Sequence, residues 1–205
     1  SLTYENGHIN LHRIGQLSRV ICDLVNQGRE VTLVSSGAIG VGVDKLKLPS
    51  KPTEVSMRQA AASVGQSILM NIYNQFFSEY GYTVAQILLT KDVIDRVDSK
   101  QNVTNTFNEL LAMKVVPIVN ENDTVSVDEI KFGDNDNLSG IVARLLGADL
   151  LIILTDIDGY YSQNGTATLN DNITEEVTLT LIPEIKPTYT FTVTPTPSDA
   201  TVTLT

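Results

Sequence analysis

The fold turns on Val116-Pro-Ile-Val-Asn-Glu-Asn-Asp-Thr-Val125, followed after a short spacer by Ile130-Lys-Phe-Gly-Asp-Asn-Asp-Asn137. The apolar, largely β-branched run reads as a buried strand, and the spacing places it over Val115–Val119. Asn120, Glu121, Asn122 and Asp123 come next and are too polar for the interior of the same sheet, so the strand is expected to deliver them to its edge. A second polar cluster, Asp134, Asn135, Asp136 and Asn137, follows Gly133 and opens a helix whose apolar period runs through Leu138, Ile141, Val142 and Leu145. Two groups of amides and carboxylates thus meet where a strand ends and a helix begins. In an open α/β sheet, ligands bind outside the carboxyl ends of the strands, and that is where a site is expected. One such cluster reads as readily as loop and cap residues; two with this spacing favour a site.

Working outward, Ile14, Leu17, Ile21, Leu24 and Val25 form a helical stripe that stops near Gly28. Glu30 to Val34 reads as a strand. It runs into Ser35-Ser-Gly-Ala-Ile-Gly-Val-Gly42, whose small residues let a ligand approach the backbone. The spacing is neither a Walker loop nor a dinucleotide fingerprint, and a tight turn with glycines needed for conformation alone fits equally well. Val55–Ala62 and Ser63–Tyr80 form one broken helix or two consecutive ones, with a smooth face of Ala60, Ala61, Ala62 and Gly65 suited to close helix approach. Tyr73, Phe76 and Phe77 read as core, with an oligomer contact as the alternative. Thr83–Leu89 is a strand, Asn102–Met113 a helix, and Leu150–Leu154 a final apolar strand ending in Thr155-Asp-Ile-Asp-Gly-Tyr-Tyr161. Apolar strands alternating with helices predict an α/β fold, a three-layer α/β/α sandwich around a mainly parallel sheet.

Beyond Ser162 the composition changes. Threonine dominates, Pro183, Pro187, Pro195 and Pro197 punctuate short runs, and Thr188-Tyr-Thr-Phe-Thr-Val-Thr194 alternates at period two. The expected organisation is therefore a domain over 1–162 and a β-forming or disordered Thr/Pro-rich tail over 163–205.

Composition narrows the function. With 42% hydrophobic and 19% charged residues the chain is ordinary for a globular protein, and no apolar stretch is long enough to cross a bilayer. The net charge of −10 argues against nucleic acid, whose phosphates require clustered Lys and Arg. Small anionic substrates remain compatible, given local donors, helix N-termini or Mg²⁺. Cys22, the only cysteine, falls in a helical apolar pattern and reads as a buried thiol in a reducing cytoplasm. No signal peptide is apparent.

Five segments in order, Val34-Ser-Ser-Gly-Ala-Ile39, Arg58-Gln-Ala-Ala-Ala-Ser-Val-Gly-Gln66, Val116-Pro-Ile-Val-Asn-Glu-Asn-Asp123, Lys131-Phe-Gly-Asp-Asn-Asp-Asn-Leu-Ser139 and Leu154-Thr-Asp-Ile-Asp-Gly-Tyr-Tyr161, closely resemble the amino-acid kinase family, in its glutamate-phosphorylating branch. The resemblance covers Ser1 to about Ser162. The Asn-Glu-Asn-Asp and Gly-Asp-Asn-Asp-Asn pair is not shared in this form by aspartokinase, acetylglutamate kinase or uridylate kinase. What the resemblance implies is transfer of the ATP γ-phosphoryl group to the γ-carboxylate of L-glutamate with Mg²⁺, towards proline, in a cytoplasmic enzyme that is a homo-oligomer in the intact family. Ser36, Gly37, Asp123 and Asn135 fall on the family's glutamate positions, with Asp134 beside them. Asp136 falls where the family has the carboxylate that organises two catalytic lysines, and Thr155 and Asp156 fall on the start of the nucleotide pocket. No residue is assigned as a metal ligand.

Two departures shape a further expectation. The family has a Lys-bearing first strand with a Gly-Ser or Gly-Thr turn, and downstream a Gly-Gly-Met-x-Thr-Lys loop; neither has a match here. Phosphoryl transfer rests on positioning and charge stabilisation. The sequence therefore also predicts poor binding and negligible turnover unless Lys91 or Lys131 supplies the charge. The alternative to an active enzyme is a truncated or fused kinase-derived domain acting as a binding or structural module.

Overall fold

The computed structural model describes residues 2, 4, 8–90, 96–125 and 134–154. Helix α1 spans Leu11–Asn26, capped by the Asn10 carboxamide, which accepts from the Arg13 backbone N–H at 3.0 Å. Strand β1 (Leu33–Val34) leads into α2 (Ala38–Lys45) and the long α3 (Val55–Glu79); β2 (Val84–Leu89), α4 (Val97–Ala112), β3 (Val116–Glu121) and α5 (Asp134–Leu146) follow. The segment from Val55 to Tyr80 is thus one continuous helix up to Glu79. No proline interrupts it, and Gly65 is absorbed because the small residue is needed for packing.

The strands lie parallel in the order β1-β3-β2, with Leu33 opposite Ile118 and Val84 opposite Val116. Side chains alternate across β3. Val116 and Ile118 join Ile14, Ile21, Cys22, Leu69, Tyr73 and Phe77 under α1 and α3, while Val119 joins Ile87, Leu89, Phe107, Leu138 and Val142 under α4 and α5. Helices therefore cover both faces, and the three-layer reading holds. Tyr73 and Phe77 are fully buried with ring centroids 6.4 Å apart, which assigns the aromatic group to the core.

Three strand expectations need correction. The segment Glu30–Val34 pairs only at Leu33–Val34. The reason lies in its partner: Val116 donates its N–H towards Thr83 on the β2 side, so Pro117, one residue on, faces β1 and has no N–H to offer Val31 or Thr32. The strand expected to stop at Val119 continues through Asn120 and Glu121, both buried; the Asn120 carboxamide finds partners inside the fold in Gln66, the Glu121 N–H and Asn135. Finally, Leu150–Leu154 is not a strand. Leu150 to Ile153 are 39–50% exposed and Leu154 is 76% exposed. An apolar run becomes a strand only where a ladder partner is in place, and among the described residues none pairs with it. Thr155, Asp156, Lys91, Lys131 and the 163–205 tail lie outside the described residues.

Helices α2 and α3 touch backbone to backbone. A Cβ on Gly65 would land on the Ala38 carbonyl oxygen, and one on Gly42 on the Ala61 carbonyl oxygen. The smooth face expected of α3 is the surface on which α2 rests. Of the glycines in Ser35–Gly42, Gly37 serves a turn at φ 102° and Gly42 serves helix packing.

Candidate active site

Parallel strands bring their carboxyl ends to one edge, and three segments meet there. The first is the exit of β1, where Ser35, Ser36 and Gly37 lead into α2. Ser35 is buried, its N–H donating to the Val119 carbonyl at 2.8 Å and its Oγ lying 2.9 Å from the Tyr73 hydroxyl on α3. Burial pushes the Tyr73 hydroxyl up to about 12, opposed by its bond to Ser35. Ser36 is exposed. Gly37 forms the N-cap of α2 without a side-chain hydrogen bond, and the first turn of that helix carries no acidic residue. The leading N–H groups of α2 therefore have neither a side-chain cap nor a first-turn carboxylate, the setting in which a helix start attracts an anion.

The second segment is the exit of β3. Asn120 is 2% exposed; its Oδ1 accepts from the Glu121 N–H at 2.9 Å and its Nδ2 donates to Gln66 Oε1 on α3 at 2.7 Å. The chain then leaves the sheet through a turn in which the Thr124 hydroxyl donates to Asn122 Oδ1, with Asp123 half-buried beside it. The third segment is the start of α5. Asn135 Nδ2 donates to the Ser35 carbonyl, 100 residues away in sequence, at 2.9 Å and to Asn120 Oδ1 at 3.1 Å, which ties the exits of β1 and β3 together. Its own Oδ1 is buried and accepts no hydrogen bond among the described residues. Asp136 is exposed in the first turn of α5, and Asp134 begins that helix.

Of the residues singled out in the sequence, Asn135 is thus drawn directly onto the β1 exit at Ser35, next to Ser36 and Gly37, and onto β3 at Asn120, three residues before Asp123. Sequence reasoning passed over Ser35, Gln66 and Tyr73 as site-supporting residues and gave Asn120 no role. A signal existed for two of them: Gln66 lies seven residues before Tyr73, two helical turns on one face of α3, a polar group in a stripe otherwise made of core residues. Among the described residues no group of three His, Cys, Asp or Glu side chains could hold a metal ion. Mg²⁺ that enters with a polyphosphate keeps most of its waters and needs one or two carboxylates, for which exposed Asp136 is available.

A parallel sheet covered on both faces, with an amide bridge tying two strand exits at its carboxyl edge, is an α/β framework of the kind that binds small molecules at that edge. Residues 1–184 match the Amino acid kinase family, and the chain belongs to that family. The match extends beyond Ser162. Glutamate 5-kinase of Clostridium perfringens (strain 13 / Type A) is 55% identical over 190 residues, covering 91% of this chain and 70% of that protein. Glutamate 5-kinase of Listeria welshimeri is 55% identical over 190 residues, covering 91% and 68%, and that of Enterococcus faecalis V583 is 55% identical over 181 residues, covering 86% and 67%. No described helix is long and apolar enough to cross a membrane.

Proposed function

We propose that this chain is a glutamate 5-kinase, which transfers the γ-phosphoryl group of ATP to the side-chain carboxylate of L-glutamate in the cytoplasm, as part of a homo-oligomer. The observation that carries the reading is Asn135: one carboxamide ties the exits of β1 and β3 and keeps a buried carbonyl oxygen for an ammonium donor. The substrate carries two carboxylates and one ammonium, so it needs donors at one place and acceptors at another. Ser36, Gly37 and the leading N–H groups of α2 supply donors for the α-carboxylate. Asn135 Oδ1 and the Asp123 carboxylate supply acceptors for the ammonium, with Asp134 next in the chain to Asn135. Held at both ends, the γ-carboxylate oxygen attacks the γ-phosphorus; the new P–O bond forms as the bond to the β-phosphate bridging oxygen breaks, and ADP carries away the electron pair. Bound Mg²⁺ would neutralise the charge building on the phosphate oxygens. Asp136, in the first turn of α5, falls where the family has the carboxylate that organises its catalytic lysines. Thr155 and Asp156 fall on the start of the family's nucleotide pocket, within the 1–184 match.

The test is glutamate-dependent ADP release by the full chain with Mg²⁺. Asp123→Ala is expected to raise the glutamate KM by about thirtyfold or more, since removing one partner of a buried charge pair costs about 2–5 kcal/mol, while leaving the ATP KM unchanged. ADP release that ignores glutamate, or an Asp123→Ala variant with wild-type glutamate dependence, overturns the assignment. Substantial turnover by this chain would also overturn the expectation of an inert module.

A further inference from the structure

The hydrogen bonds at the carboxyl edge of the sheet form a relay that begins on α3, away from the strand exits themselves. Gln66 Oε1 accepts from Asn120 Nδ2 at 2.7 Å; Asn120 Oδ1 accepts from Asn135 Nδ2 at 3.1 Å; and Asn135 Nδ2 also reaches the Ser35 carbonyl. Two backbone groups set which end of each amide is which. The Glu121 N–H can only donate, so the atom 2.9 Å away is the Asn120 oxygen; the Ser35 carbonyl can only accept, so the atom facing it is the Asn135 nitrogen. With those ends fixed, the Asn120 nitrogen must find an acceptor in an otherwise closed setting, and Gln66 is that acceptor. The relay passes from the α3 layer, around the carboxyl end of the central strand, to the α5 layer.

We infer that Gln66 is a positioning residue for substrate binding: by accepting from Asn120 Nδ2 it holds in place the Asn120–Asn135 amide pair whose orientation the two backbone groups set, and so keeps Asn135 Oδ1 facing the substrate ammonium. This rests on the glutamate reading above, but the locking itself does not. Without an acceptor at 66 the Asn120 amide has reason to rotate towards water, and the bridge to Asn135 loosens with it. Catalytic groups are untouched, so the effect falls on binding of the amino acid and not on the nucleotide.

The experiment compares Gln66→Met, near-isosteric without an acceptor, Gln66→Leu, and Gln66→Glu, which keeps an acceptor, with Ser67→Ala, at an exposed neighbour, as control. Two readouts are taken on the full chain: steady-state KM for glutamate and for ATP, and hydrogen exchange of the Asn120 and Asn135 side-chain amides by ¹⁵N NMR. Gln66→Met is expected to raise the glutamate KM about tenfold or more, leave the ATP KM within about twofold, and speed exchange of both amides; Gln66→Glu is expected to stay within about threefold of wild type in each. Unchanged amide exchange in Gln66→Met overturns the inference, as does an equal rise in both KM values or a Gln66→Glu variant as impaired as Gln66→Met. Loss of fold in both apolar variants overturns it too, in favour of a purely structural role. If the wild-type chain turns over no glutamate, the functional reading fails while the exchange measurement still decides whether Gln66 orders the pair.

Discussion

Gly65 is where one methyl group tests the architecture around the site. A Cβ there would collide with the Ala38 carbonyl oxygen and lie 2.5 Å from the Gly42 nitrogen and 2.8 Å from the Ala38 carbonyl carbon. All three are backbone atoms, so no side-chain rotation relieves the contact; α2 has to move off α3 by about an ångström. Overpacking of this kind costs about 1–3 kcal/mol, and rigid neighbours put Gly65→Ala at the upper end. Alanine returns about 1 kcal/mol of helix propensity. The net loss of about 2 kcal/mol corresponds to a Tm lowered by about 4–8 °C for a chain of this size. Gly140 on α5 is the internal control: among the described residues nothing lies within 4 Å of its Cβ position, so Gly140→Ala is expected to raise Tm by about 1–3 °C. Thermal melts followed by circular dichroism decide the matter. A Gly65→Ala protein melting at or above the wild-type temperature, or one indistinguishable from Gly140→Ala, would refute the argument that α2 rests on α3 backbone to backbone.

Further measurements follow from single residues. Burial, with a smaller push from the Asp23 carboxylate, raises the Cys22 thiol from its ordinary 9.0 to about 11; native protein at pH 8 should resist thiol reagents until it is denatured, and rapid native labelling would contradict this placement. Tyr73 is raised from 10.0 to about 12. Both groups favour the proton in the folded state, so their stabilising contribution is complete below about pH 9 and is lost as pH rises through 9–11 for Cys22 and 10–12 for Tyr73; urea midpoints that stay flat across that range would be inconsistent with it. Lys114, at φ 58° just past the end of α4, occupies a conformation that costs a non-glycine residue about 1 kcal/mol, so Lys114→Gly should raise the urea midpoint at unchanged slope.

What the sequence made legible was whatever periodicity encodes. The stripe through Ile14, Leu17 and Ile21 became α1, and the apolar runs ending at Leu89 and Val119 became adjacent parallel strands because a doubly covered sheet demands such runs. The two polar clusters do meet: Asn135 Nδ2 donates to the Ser35 carbonyl and to Asn120 Oδ1. What stayed illegible depends on partners that no local pattern names. Asn120 looked too polar for a strand because its Gln66 and Asn135 partners lie 54 and 15 residues away, and only the fold brings a matching acceptor and donor to it. Leu150–Leu154 looked like a strand because its composition suits one, yet pairing requires a neighbour that composition cannot supply.

Pro117 shows how such a long-range condition still has a local cause. It occupies the central strand, a position prolines normally avoid, and is tolerated because its missing N–H points to the side where β1 has not yet begun to pair. The first rung that β1 makes is Leu33 with Ile118, the residue immediately after the proline. The pairing is therefore confined to the carboxyl ends of the two strands, next to Ser35 and Asn120, where the amide bridge through Asn135 adds the cross-link that a two-residue ladder alone would not provide. On this view the bridge holds the β1 exit against β3 as well as facing the substrate, so the loop bearing Ser36 and Gly37 owes its position to the residues proposed to read the ammonium.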